Sequence, residues 1–252
     1  AVHTDTASGI TSDLEQLRAA IDAAGHPALF VVDVVASLGA APFAMDALRA
    51  NVVIGASQKG LMCPPGVGFV AVDAVAMEIS TRNTTPRFYW DWGRRKSELS
   101  YRKFCGTAPQ NLLMGVEAAL RLIFHEGLDH VFARHRLLAD AVHAAVECWS
   151  TAGAIRFFGS DPAARSVSVT TIMTGAGVDP DALRSVARER FQVAIAGGLG
   201  PLGGRAFRIG HLGDTNAATI LGCLAGVEAA MTIQNIPYGR GGLEAAIARL
   251  AE

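Results

Sequence analysis

Lys59 lies in the run Val52-Val53-Ile54-Gly55-Ala56-Ser57-Gln58-Lys59-Gly60-Leu61-Met62, an amine among small and apolar residues. The chain has three lysines, at 59, 96 and 103, and carries its remaining positive charge on arginine. Lysine is seldom buried without a partner. Burial in such a segment would lower the amine's pKa and leave it free as a nucleophile. A second charge has similar surroundings. Leu29-Phe30-Val31-Val32-Asp33-Val34-Val35 reads as a parallel strand covered on both faces. Asp33 falls near its C-terminal end, where open α/β sheets place their ligands.

An amine that attacks a carbonyl forms a Schiff base. An amine for the aldehyde and an acid for the pyridine nitrogen are the two groups a pyridoxal site requires. Each residue also has an ordinary reading. A lysine after a strand can snorkel at the surface, and an aspartate there can close a turn or cap a helix. At the ends of consecutive strands, the two together favour a site. Arg208 in Phe207-Arg208-Ile209-Gly210 is a third candidate. On a strand it shares a face with Ala206 and Gly210, which leaves room to hold a carboxylate bidentately. An ordinary ion-paired strand arginine fits the same pattern.

The elements that would carry these residues alternate as in an α/β sheet. A helix is expected over Thr11 to Ala24, capped by Thr11 or Ser12. The Asp33 strand, a short helix or turn over Phe43 to Ala50, and strands over Val52 to Ala56 and Gly68 to Val72 follow. Residues Arg82 to Gly106, with Phe88-Tyr89-Trp90-Asp91-Trp92, read as a long irregular loop. Such a loop is either functional or packed on a neighbouring subunit. Helices are expected over Gln110 to His125 and Val131 to Trp149. A β-α-β-β-α order follows, with strands at Val167 to Met173, Phe191 to Ala196 and Ala206 to Leu212, and helices at Pro180 to Arg190 and Ala217 to Thr232. The glycines between 197 and 204 join two strands and do not open a helix, so they are not a dinucleotide fingerprint. They would give a tight backbone path beside a site.

Composition narrows the class. The 252 residues can bury a large core and can form two domains. Half are hydrophobic, and the mean hydropathy is +0.29. No apolar run reaches the roughly 18 residues that span a bilayer. The net charge of −1 gives no reason to expect nucleic acid or an anionic membrane as partner. Cys63, Cys105, Cys148 and Cys223 are scattered without C-x-x-C pairs, so no metal site is expected and a cytoplasmic enzyme with reduced thiols is the simplest reading.

Six segments together resemble one family. They are His3 to Gly9, Val32 to Gly39, Gly55-Ala56-Ser57-Gln58-Lys59-Gly60-Leu61-Met62, Pro64-Pro65-Gly66, Tyr89-Trp90-Asp91-Trp92, and Phe207 to Asp214. In this order they resemble the class V aminotransferases of pyridoxal-phosphate fold type I, nearest the serine–glyoxylate and alanine–glyoxylate branches. The resemblance implies the C-terminal half of a large cofactor-binding domain over residues 1–126 and a small α/β domain over 127–252. It also implies pyridoxal 5'-phosphate as cofactor, a homodimer, and amino transfer from serine or alanine to glyoxylate or pyruvate. By resemblance, Lys59 would bind the cofactor aldehyde and shuttle the α-proton, and Asp33 would pair with the ring nitrogen. Val35 would cover one ring face, Thr6 would bond near the ring hydroxyl, and Gln58 would help hold the phosphate. Thr107 would reach the phosphate bound by the other subunit, and Arg208 would grip the substrate carboxylate.

The departures qualify this expectation. Asp5 stands where the family usually has glutamate. Gln58 stands where the cysteine desulfurase branch has histidine, which argues against sulfur transfer. The family's phosphate loop at a helix N-terminus and its stacking aromatic belong to a segment ahead of the position of Ala1. The chain therefore reads as a C-terminal part with weak cofactor retention of its own. Two alternatives accompany this reading: an impaired fragment that only dimerises or binds a partner, and a lyase on the same scaffold.

Overall fold

The computed structural model describes residues 1–252. The first element is a hairpin of β1 (Thr4–Asp5) and β2 (Ile10–Thr11). Helix α1 (Leu14–Ala23) follows, and its cap differs from expectation. Asp13 is the capping residue, because its carboxylate accepts the Gln16 N–H at 2.9 Å. Then come β3 (Val31–Asp33), α2 (Met45–Leu48), β4 (Val52–Ala56) and β5 (Gly68–Val72). These strands form a mixed sheet in the order β3-β4-β5, parallel then antiparallel.

Val32, Val34 and Val53 enter a core with Leu14, Phe30 and Leu48. The opposite face is not covered as the valine run predicts. Val31, Ile54 and Val70 are 38%, 39% and 51% exposed. Ile54 pairs with Asp33 and with Val70, so this open face is the one Asp33 shares.

Helix α3 (Ala74–Arg82), not expected from the pattern, is capped by Asp73, which accepts the Ala76 N–H at 2.7 Å. The stretch over 82–106 is more ordered than expected. It holds a 3₁₀ turn at Phe88–Trp90 and short helices α4 (Trp92–Arg95) and α5 (Ser100–Lys103). Arg95 ties them together by donating to the carbonyls of Phe88, Tyr89 and Arg102 at 2.9, 3.1 and 2.6 Å.

Helices α6 (Gln110–Glu126) and α7 (Leu128–Ser150) meet at Gly127. Beyond them are β6 (Ile155–Phe157), β7 (Val169–Thr174), α8 (Pro180–Phe191), β8 (Ala196–Gly197), β9 (Ala206–Gly210), α9 (Ala217–Ile233) and α10 (Gly242–Leu250). The four strands form an antiparallel sheet in the order β6-β7-β9-β8. The largest core lies with this sheet and contains Trp149, Ile172, Phe207, Leu224 and Met231. The strand expected over Phe191 to Ala196 shrinks to β8. Helix α8 runs through Phe191, and Gln192 turns the chain in the left-handed region.

Candidate active site

β4 delivers Lys59 into a tight turn. Buried Ser57 donates its hydroxyl to the Pro64 carbonyl at 2.9 Å, and the Met62 N–H donates to the Lys59 carbonyl at 2.9 Å. Gly60 packs on the turn that follows Asp33. A Cβ at Gly60 would lie 2.3 Å from the Leu38 carbonyl oxygen, so no larger residue lets the two turns meet. The apolar neighbours face inward, with Leu61 and Cys63 buried. Lys59 itself is half-buried, which corrects the expectation of an amine submerged in an apolar segment. Its amine has neither a carboxylate nor a hydrogen-bond partner.

Asp33 ends β3 half-buried. One carboxylate oxygen accepts the Val35 N–H at 2.8 Å, so the turn-forming reading of this residue is correct as far as it goes. The other oxygen has no partner. Asp33 is also tied to the start of the chain: its carbonyl accepts the His3 N–H at 2.8 Å, and its N–H donates to the Ala1 carbonyl at 2.9 Å. Val35 is half-buried in the following turn, and Gln58 is exposed beside Lys59.

Arg208 is buried in the second sheet. Its Nε donates to the Gly197 carbonyl and its Nη1 to the Thr6 carbonyl, both at 2.8 Å. Of its five donors, those left on Nη1 and Nη2 have no acceptor. A bidentate grip would therefore use that end and not the Nε edge. Burial first, then the nearby Arg184 charge, lower the Arg208 pKa, while Asp5 opposes them. Burial works against ionisation of Asp5, but its hydrogen bonds with Ser8 and Ala7 and the Arg208 charge outweigh it and hold the carboxyl below its usual value.

Thr6 is half-buried in the hairpin turn, and its hydroxyl has no partner. The hairpin thus touches both sheets: His3 meets Asp33 and Thr6 meets Arg208. Thr107 lies elsewhere. It is exposed and lines a concavity of about 640 Å³ with Tyr89, Trp90, Trp92 and Lys103, a surface that includes neither Lys59, Asp33 nor Arg208.

The sequence pattern gave no sign of two further groups. His135 accepts the Gly213 N–H at 3.0 Å, and Gly213 lies beside the Lys59 carbonyl. Thr171 donates to the Ala7 carbonyl at 2.9 Å. Thr171 is one of three threonines in β7, so its type alone does not single it out.

The mixed sheet, the antiparallel sheet and the lysine and aspartate turns are matched together in one family. The family model described as aminotransferase class-V matches residues 1–202, and the chain belongs to that family. Among its relatives, the serine–glyoxylate aminotransferase of Methylorubrum extorquens is 38% identical over 100% of this chain and 63% of its own length. The L-aspartate–glyoxylate aminotransferase of Paracoccus denitrificans is 37% identical over 96% of this chain and 60% of its own. The ureidoglycine–glyoxylate aminotransferase structure from Bacillus subtilis superimposes with a TM-score of 0.87 at 27% identity, over 100% of this chain and 64% of that one. The chain spans about three-fifths of the length of the curated relatives it matches.

Pyridoxal 5'-phosphate is the cofactor of this family. The donor set fits it. Lys59 offers a partner-free amine for an aldehyde, Asp33 a free carboxylate oxygen for a ring N–H, and Thr6 a free hydroxyl.

Proposed function

We propose that the protein carrying this chain transfers an amino group from a small amino acid, serine or alanine, to glyoxylate or pyruvate. The observation that carries the proposal is the partner-free Lys59 amine, in a turn packed on the turn of the Asp33 strand. The bound cofactor supplies an aldehyde and an electron-withdrawing ring. Lys59 would hold that aldehyde and, once released from it, take the α-proton from one carbon and return it to another. Asp33 would keep the ring nitrogen protonated through its free oxygen. Val35 would cover one ring face, Thr6 would hydrogen-bond near the ring hydroxyl, and Gln58 would help hold the phosphate. Arg208 would orient the substrate by its α-carboxylate.

A homodimer and a cytoplasmic location belong to the same reading. Thr107 lines a concavity that does not include Lys59 of its own chain, which suits a contact with the phosphate of the other subunit. Tyr89, Trp90, Met114, Leu122 and Phe124 are between 62% and 74% exposed, apolar surface suited to a second copy. No helix is long and apolar enough to cross a membrane. Within this reading, residues 1–126 belong to the large domain and 127–252 to the small one.

The test is glycine formation from glyoxylate, with serine or alanine as donor and pyridoxal phosphate present. The wild type should form glycine with at least one donor. Lys59→Ala should lose on the order of a thousandfold or more, the scale of a missing acid–base group. Glycine formation unchanged in Lys59→Ala rejects the reading.

A further inference from the structure

We infer that Thr171 is a positioning residue for the substrate carboxylate, acting through the turn between β1 and β2; this rests on the proposed role of Arg208. The turn has two chemically distinct sides. Its amides face Asp5: Gly9 N–H donates to the Asp5 carbonyl at 2.9 Å, and the Ser8 and Ala7 N–H groups donate to the Asp5 carboxylate at 2.9 and 3.3 Å. Its carbonyls face the second sheet. Thr6 O accepts from Arg208 Nη1 at 2.8 Å, Ala7 O from Thr171 Oγ1 at 2.9 Å, and Gly9 O from the Ser166 N–H at 3.0 Å.

Thr171 and Arg208 are directly opposite on β7 and β9, so their side chains share a face. Two adjacent side chains therefore clasp two consecutive carbonyls. The guanidinium is oriented by two carbonyls, Gly197 O and Thr6 O, and Thr6 O is only as fixed as the turn that presents it. Thr171 is 2% exposed, and the Ala7 carbonyl is its hydroxyl's one partner. Removing that hydroxyl leaves Ala7 O without its donor and frees the turn to shift under Arg208. The preceding residue supplies a control. Thr170 is equally buried but points to the opposite face, where its hydroxyl meets His211 Nε2 at 2.9 Å.

The inference also explains why the hairpin is needed. One end of it binds the Asp33 backbone and the other meets Arg208, so it sets the spacing between a group for the cofactor ring and a group for the substrate carboxylate. A merely structural Thr171 would change stability alone.

The experiment measures glycolate binding to the cofactor-loaded protein carrying this chain. Glycolate has the carboxylate but no amine to transfer. Wild type, Thr171→Val, Thr171→Ala, Thr171→Ser, Thr170→Val and Arg208→Lys are compared by calorimetric titration, with hydrogen exchange followed at the Ala7 and Ser8 amides. Thr171→Val and Thr171→Ala, whichever folds, should bind glycolate about tenfold more weakly and exchange faster at those amides. Thr171→Ser should bind like the wild type, and so should Thr170→Val. Wild-type affinity in Thr171→Val, or an equal loss in Thr170→Val, overturns the positioning role while leaving Arg208 its own. Failure of the wild type to bind glycolate, or unchanged affinity in Arg208→Lys, instead removes the reading of Arg208 on which the inference rests.

Discussion

At the scale of single residues, the proposed chemistry rests on what Lys59, Asp33 and Arg208 leave unpaired. Lys59 stands out in the sequence because an amine in an apolar run has few ordinary explanations. Burial of the run accounts for only part of this. Val52, Val53 and Leu61 are buried, Ile54 lies on the open face, and Lys59 is half-buried. Lys96 and Lys103 lack ion pairs too, so what sets Lys59 apart is neither submersion nor the missing pair but a turn packed on the turn of the Asp33 strand. Asp33 was legible by its place at a strand end, but not its division of labour, with one oxygen closing the turn and the other free. Arg208 was legible as a strand arginine among small residues. Its anchoring to the Thr6 carbonyl was not, because the two residues are 202 positions apart in the chain.

At the scale of elements, the hairpin at the start of the chain decides the geometry. Gly9 is its most constrained position. It has φ +69°, and a Cβ there would lie 2.9 Å from the Val169 carbonyl oxygen and 3.1 Å from the Thr171 nitrogen. Gly9→Ala should destabilise the protein by about 1–3 kcal/mol, through an unfavourable left-handed conformation and a clash with β7 backbone. Urea unfolding checks this, and an unchanged midpoint contradicts the docking of the turn on β7. The hairpin itself could not be read from sequence. Two-residue strands such as β1, β2 and β8 hold too few residues for an alternation to show, and β6 has only three. Helices α6 and α7 are readable because each runs long enough for an apolar stripe to show, and α9 because it is a long run of helix formers that is apolar nearly all round. Helix α10 is not among the expected elements although Leu243, Ile247 and Leu250 stand at helical spacing; it packs so closely that a Cβ on Gly242 would lie 2.3 Å from the Trp149 indole nitrogen.

At the scale of the whole molecule, the buried His211 and the half-buried His143 make stability depend on pH. Burial lowers the His143 pKa to about 3, with the neighbouring His211 and arginines adding to it. Burial lowers the His211 pKa to about 4. Both rings ionise near 6.5 when unfolded, so above that pH neither affects the balance. Below it the unfolded chain binds protons that the folded chain refuses, and stability falls as pH drops from about 6.5 towards 4. Each ring contributes roughly 1.4 kcal/mol per pH unit in that window. Glu126, whose pKa is lowered by its hydrogen bond from Arg134, weakens the fold only below its unfolded value of 4.5. Urea midpoints at pH 7.5 and 5.0 should differ, with a smaller difference in His143→Leu; equal midpoints contradict the neutral buried rings. The central claim spans all three scales: the three lysines are all without partners, and Lys59 is the one set in a turn that packs on the turn of the Asp33 strand. Borohydride reduction of the protein with pyridoxal phosphate, followed by peptide mass mapping, tests it directly. The pyridoxyl mass should fall on the peptide containing Lys59; stoichiometric label on Lys96 or Lys103, with Lys59 unmodified, would contradict it.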